Sequence, residues 1–228
     1  MSMCLPLLLL LLVPAKFLSA AIDYGAFTTY GSFEDLRLEH ELQVMDELFG
    51  APNRLTPNGS DFVTVAIDGA AGSGKTSTAK ALAERCGFAF ASTGEHYRVL
   101  ARLFIDEGIG AADEAAMARR LIALRPSTIF TGNCAHIAFS GRIYGEDRLR
   151  SAEVNGAVSK YAAVAALRNF LCSYQRQLPA IAMAAGFRGI VLEGRDVTSV
   201  VFPDADLRAY LHVDVDERKR RRAGEGLV

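Results

Sequence analysis

Residues 69–76 carry the densest chemical signal in the sequence. They read Gly69-Ala70-Ala71-Gly72-Ser73-Gly74-Lys75-Thr76, a G-x-x-x-x-G-K-T pattern. A polyphosphate needs many inward-pointing donors, and glycines let successive backbone N–H groups converge. Lys75 supplies a cation for the outer phosphates. The Thr76 hydroxyl suits Mg²⁺, which takes few protein ligands beside phosphate oxygens and water. Thr78, two residues on in the helix, is a further candidate for contact with the nucleotide. Asp68, just before the loop, is placed to orient it or the water on Mg²⁺.

Such a loop works only between a strand and a helix, whose positive end adds to the site. Both are legible. Phe62-Val63-Thr64-Val65-Ala66-Ile67 is a β-rich run of the kind a buried parallel strand shows. Ala79, Leu82, Ala83 and Cys86 recur at helical spacing, and Gly87 ends the helix. Further on, 88–91 reads as a strand, 98–107 and 112–124 as helices, and 127–130 with 136–139 as a hairpin around Thr131-Gly132-Asn133. Residues 152–181 read as helical with a break near Ala162. Gly189–Glu193 and Leu207–Val213 read as strands, and a helix dense in Arg starts at Asp216. Strands alternating with helices predict an α/β fold with a parallel sheet covered on both faces. The loop at 51–59, punctuated by Pro52, Pro57 and Gly59, separates an N-terminal segment, 1–60, from the core, 61–228.

The flanking residues resemble the cytidylate kinases, a family of P-loop nucleoside-monophosphate kinases. Ile67-Asp68-Gly69 through Lys75, with Ala79-Lys80-Ala81-Leu82-Ala83, looks like that family's opening. Thr93-Gly94…Tyr97-Arg98 resembles its element after the second strand. Leu149-Arg150-Ser151-Ala152-Glu153-Val154, then Ser159, Ala162-Ala163, Arg168 and Gln175-Arg176, follows its helical run. Glu193-Gly194-Arg195-Asp196 and Val200-Val201-Phe202-Pro203-Asp204-Ala205 match its strongest signature, and Asp216-Glu217-Arg218 with Arg220-Arg221-Arg222 resembles an arginine lid. The resemblance spans residues 62 to 222. It implies a P-loop kinase fold with a monophosphate-binding insertion at 110–165 and a lid at 214–228.

It also implies roles. Thr93, Arg98, Ser159, Arg168, Arg195 and Asp196 would line the monophosphate site, where guanidinium forks suit a phosphate. Arg218, Arg221 and Arg222 would close over ATP, and Lys75, Arg195, Arg218 and Arg221 would stabilise the transferring phosphoryl. The implied reaction is Mg²⁺-dependent transfer from ATP to CMP or dCMP. His96 stands where the family is apolar or small and reads as a variant. The family pattern continues beyond the lid, whereas this sequence ends at Val228. Two alternatives follow: a truncated P-loop protein that binds ATP without turnover, and a P-loop kinase for another small acceptor.

Composition narrows the partners. Net charge is −1, from 25 Lys+Arg against 26 Asp+Glu, which gives no general attraction to nucleic acid or an anionic membrane. Cys4, Cys86, Cys134 and Cys172 form no C-x-x-C pair, so no zinc or redox motif is present and an intracellular chain is expected. Leu5 to Val13 is an apolar run with Leu18-Ser19-Ala20 behind it, which resembles a signal peptide but lacks a preceding Lys or Arg. Export, an organellar leader and an extension ahead of a start at Met45 remain the readings; a cytoplasmic monomer without stable membrane association is the one expected.

Overall fold

The computed structural model describes residues 62–213 and the backbone of residues 13–14. Expectations for the rest of 1–61 and for the arginine-dense segment after 213 lie outside the described residues.

The chain order is β1 (Val13–Pro14), β2 (Val63–Gly69), α1 (Lys75–Cys86), β3 (Ala89–Ser92), α2 (Thr93–Asp106), α3 (Glu114–Ala123), β4 (Pro126–Thr131) and β5 (Cys134–Phe139). There follow α4 (Glu146–Leu149), α5 (Ala152–Ala163), α6 (Ala165–Gln175), α7 (Leu178–Ala184), β6 (Gly189–Gly194), a π-helical turn (Val197–Val201) and β7 (Leu207–Leu211). One sheet holds every strand, in the order β1-β7-β2-β6-β3-β5-β4. β7, β2, β6, β3 and β5 run parallel. β4 closes one edge antiparallel to β5, and Val13–Pro14 pair antiparallel with Arg208 and Leu207 at the other. The fold is thus the expected α/β class, with a mixed rather than purely parallel sheet.

The mixed edge follows from the hairpin. Its strands are joined by Gly132-Asn133, and Gly132 has φ 61°, the geometry a two-residue turn with glycine first requires. Asn133 then docks this turn on β3: Phe90 N–H donates to its carbonyl at 2.8 Å, and its side-chain amide donates to Phe88 O at 3.2 Å.

Alternation along the strands defines two cores. Val65, Ile67, Phe90, Val191, Leu207, Ala209 and Leu211 pack with Ala79 and Ala83 of α1 on one face. Ala66, Ala89, Ala91, Ile190 and Leu192 pack on the other with Leu100 and Phe104 of α2 and with the apolar sides of α3, α5, α6 and α7. Both faces are covered, as near-continuous apolar strands demand. The stretch expected to be helical over 152–181 with a break near Ala162 is three helices, the first break falling at Val164. Val164, extended at φ −73° and ψ 121°, caps one and opens the next.

The second core contains a polar group. His96 is fully buried on α2, its Nδ1 is 3.3 Å from Gln175 Nε2, and its ring meets Tyr174 edge-on at 5.3 Å. Its Nε2 has no partner among the described residues. Burial pushes its pKa from 6.5 down to about 4, so the imidazole stays neutral in the folded chain. The unfolded chain therefore binds more protons between those values, and stability falls as pH drops from 6.5 toward 4. Between pH 7 and pH 5 we expect this group to cost about 2 kcal/mol. Urea unfolding of His96→Leu across that range should be less pH-dependent than the parent by about that amount; equal slopes would contradict it.

Candidate phosphoryl-transfer site

The C-terminal ends of β2, β3 and β6 lie side by side, and the sequence-predicted groups gather there. The loop after β2 turns through Gly72 and Gly74, at φ 76° and 85°, a left-handed region that side-chain-bearing residues rarely adopt. Gly74 directly precedes α1, so the loop residues Gly69, Ala70, Ala71, Gly72, Ser73 and Gly74 surround the positive end of that helix. Ser73 is buried, and its Oγ has no partner among the described residues. Thr78, in the first turn, donates its N–H to Gly74 O at 3.0 Å.

Lys75 Nζ donates to Ala70 O at 3.3 Å, folding back over the loop. Burial pulls its pKa below the usual lysine range; Glu193 and Asp68 oppose that, and the Arg195 cation adds to it. Lys75 and Arg195 therefore sit within electrostatic reach of each other.

Glu193 is a functional residue that motif reading left without a role. It is the residue before the last of β6, is 3% exposed, and its Oε1 accepts from Ser92 Oγ at 2.5 Å and from Thr76 Oγ1 at 3.1 Å. Its backbone oxygen accepts from Thr93 Oγ1 at 3.0 Å. Thr93 is thus committed to β6. The sequence signal for Glu193 was its place at the end of a strand directly before Gly194-Arg195-Asp196. Asp68, the last residue before the loop glycine, is engaged by the turn after β6. Its carboxylate accepts from Val197 N at 2.8 Å, Thr198 N at 2.9 Å and Thr198 Oγ1 at 2.5 Å.

Several of the residues expected for a monophosphate site lie on or near α2. Arg98 Nη1 donates to Leu149 O at 3.0 Å and to Asn155 Oδ1 at 2.5 Å. Burial lowers its pKa, and the Arg150 and Arg195 cations lower it further. Arg150 and Arg195 are thus both within electrostatic reach of Arg98; Arg150 itself is exposed and pairs with Glu146 at 2.7 Å. Arg195 is exposed and has no side-chain partner among the described residues. The Tyr97 hydroxyl is raised in pKa by burial and then by the Asp196 carboxylate, while hydrogen bonding to Arg168 works the other way. That brings Arg168 of α6 and Asp196 to one tyrosine. Ser159 is exposed on α5, one turn beyond Asn155 and on the same face. Arg218, Arg221 and Arg222 lie outside the described residues.

A strand, a glycine-rich loop capped by Lys and Thr, a buried carboxylate beside that Thr and a separate arginine cluster define a P-loop phosphotransferase. Comparison with known proteins narrows the class. The cytidylate kinase family model matches residues 65–226. A cytidylate kinase of Pelotomaculum thermopropionicum is 38% identical over 168 residues, covering 73% of this chain and 71% of that protein. That of Herpetosiphon aurantiacus is 38% identical over 71% of this chain and 69% of its own length. A bifunctional pantoate ligase/cytidylate kinase of Parasynechococcus marenigrum is 39% identical over 70% of this chain, but this is only 30% of that longer protein. The chain belongs to the cytidylate kinase family and is a nucleoside-monophosphate kinase. Among the described residues, no helix is long and apolar enough to cross a membrane.

Gly194 makes the junction of β6 with α2 possible. A Cβ there would stand 2.7 Å from Val197 Cγ2 and would also collide with the Thr93 hydroxyl, which is itself buried and bonded. Gly194→Ala should destabilise the fold by about 1–3 kcal/mol, the usual cost of overpacking. Urea unfolding measures this, and a variant as stable as the parent would show that the junction has slack.

Proposed function

We propose that this chain transfers the γ-phosphoryl group of ATP to CMP or dCMP, giving ADP and the pyrimidine nucleoside diphosphate. The observation that carries this reading is the position of Arg195. It is electrostatically coupled both to Lys75 in the phosphate loop and to Arg98 in the acceptor-side cluster. A cation between two anion sites can hold the acceptor phosphate and neutralise charge on the phosphoryl in flight. The names of the relatives supply the nucleoside.

In this reading residues 69–76, Thr78 and Arg222 bind ATP. Thr93, Arg98, Ser159, Arg168, Arg195 and Asp196 form the acceptor side, Thr93 through the strand it anchors. Arg218 and Arg221 join Lys75 and Arg195 around the transferring group. The attacking phosphate oxygen is already anionic, so no general base is needed, and the task of the protein is in-line placement. Thr76 Oγ1 and Glu193 Oε1, 3.1 Å apart, are hard oxygen donors that fit Mg²⁺. That ion, when bound, offsets the negative charge of the phosphates. Residues 61–228 make up the catalytic unit, with 110–165 serving the acceptor and 214–228 the lid. The same reading places the protein in the cytoplasm as a monomer, without nucleic acid or a membrane as partner.

A coupled ADP-release assay with Mg-ATP and each of CMP, dCMP, UMP and AMP tests the assignment. Turnover should be fastest with CMP or dCMP and absent in a folded Lys75→Ala variant; AMP outrunning both cytidine nucleotides would refute it. Arg195→Ala should weaken CMP binding by roughly tenfold to a hundredfold, the worth of a hydrogen bond to a charged group. Calorimetric titration should show a smaller change for ATP. Equal losses for the two ligands would remove Arg195 from the acceptor side.

A further inference from the structure

The π-helical turn Val197–Val201 directly follows Arg195 and Asp196, and both of its ends are gripped by charge. At the amino end Asp68 takes the N–H groups of Val197 and Thr198 and the Thr198 hydroxyl. At the carboxyl end Arg176 Nε donates to Val201 O at 3.1 Å and its Nη2 to Val200 O at 2.8 Å. A carboxylate on free amides and a guanidinium on free carbonyls match the dipole of the turn. Asp68 is 2% exposed, so its charge stays buried only because those three donors satisfy it. Arg208 adds a weaker contact, Nη1 to Thr198 O at 3.4 Å.

The covalent neighbours of these groups give the clamp its meaning. Asp68 immediately precedes Gly69, where the phosphate loop starts. Val197 immediately follows Asp196. One carboxylate therefore ties the root of the ATP loop to the root of the segment bearing Arg195 and Asp196, across 129 residues of sequence. An exposed, otherwise unpartnered arginine is held only as well as the backbone beneath it.

We propose that Asp68 and Arg176 are positioning residues. They fix the Val197–Val201 turn so that Arg195 and Asp196 meet the acceptor nucleotide, and Asp68 sets that turn at a constant offset from the ATP loop. The inference rests on the acceptor-side reading of Arg195 and Asp196.

Two readouts on the full chain test it: amide hydrogen exchange over residues 195–202, and KM for CMP against KM for ATP with kcat. Asp68→Asn keeps the size of the side chain but turns one acceptor into a donor facing Thr198. Exchange at Val197 and Thr198 should quicken by about tenfold or more, and KM for CMP should rise by a similar factor, while KM for ATP changes by less than about threefold. Thr198→Val should move both readouts the same way by less, with Thr198→Ser restoring them. Arg176→Met should raise KM for CMP with Asp68 left in place, and Arg176→Lys should recover part of the loss. A purely structural role would lower the unfolding midpoint and the active fraction without separating the two KM values. Faster exchange with an unchanged KM for CMP, or wild-type exchange in both Asp68→Asn and Thr198→Val, overturns the proposal. If Asp68→Asn does not fold, Thr198→Val and Arg176→Met decide by the same criteria. If the parent turns over no CMP, the functional reading falls separately, and unchanged protection at Val197 and Thr198 still overturns the clamp.

Discussion

The site hangs on one buried carboxylate. Glu193 lies next to the last residue of β6, the strand between β2 and β3, so its side chain meets groups from the ends of both. Thr76 arrives from the loop after β2, Ser92 from the end of β3, and Thr93 reaches the backbone oxygen of the same residue. A carboxylate 3% exposed is tolerable only with such partners. Its charge also opposes the dehydration that weakens the Lys75 cation. Removing it would loosen the loop helix from β3 and leave Lys75 more costly to keep charged, so fold and function share the interaction.

Around that anchor the arginines divide by partner. Arg102 pairs with Asp106 and Glu153, Arg148 with Asp106, and Arg120 with Glu107. Arg102–Asp106 lies within α2, while the other pairs link α2 to α3, α4 and α5; the exposed ones are worth little individually. Arg98 instead leans on two neutral acceptors, and Arg195 on none among the described residues. Arg150 keeps a carboxylate, Glu146, yet still presses on Arg98. Like charges so placed cost stability, and Arg98 is held by neutral acceptors rather than by an ion pair.

Legibility in the sequence followed the range of the interactions. The phosphate loop, its strand and its helix are consecutive, so local pattern sufficed for Gly69 through Thr76. The two-faced sheet was legible from apolar strands, and the hairpin from Gly132-Asn133. Helix starts were less so: α2 begins at Thr93 rather than Arg98, because the packing of Thr93 on β6 sets its first turn. The structural role of Glu193, the true partners of Asp68, and the places of Arg150 and Arg176 were not legible. The hydrogen bonds of Glu193, Asp68 and Arg176 span 24 to 130 residues, which no periodicity marks. Arg150 and Arg176 are exposed, as helix arginines usually are; what the sequence does not show is that Arg176 also caps the turn after β6 and that Arg150 reaches Arg98 electrostatically.

The break at Val164 shows why such distance matters to the chemistry. Asn155 and Arg168 serve Arg98 and Tyr97, adjacent residues of α2. On a straight helix, thirteen residues would separate Asn155 and Arg168 by about 20 Å, far more than two neighbouring side chains can span. An extended residue between α5 and α6 lets the chain change direction, so that one helix approaches Arg98 and the next approaches Tyr97. Val164 is itself 4% exposed and packs into the core, which fixes the bend. The sequence of 152–181 reads as helical with a break near Ala162, close to where the chain turns. The interruption in it is what allows two helices, rather than one, to serve a single turn of α2.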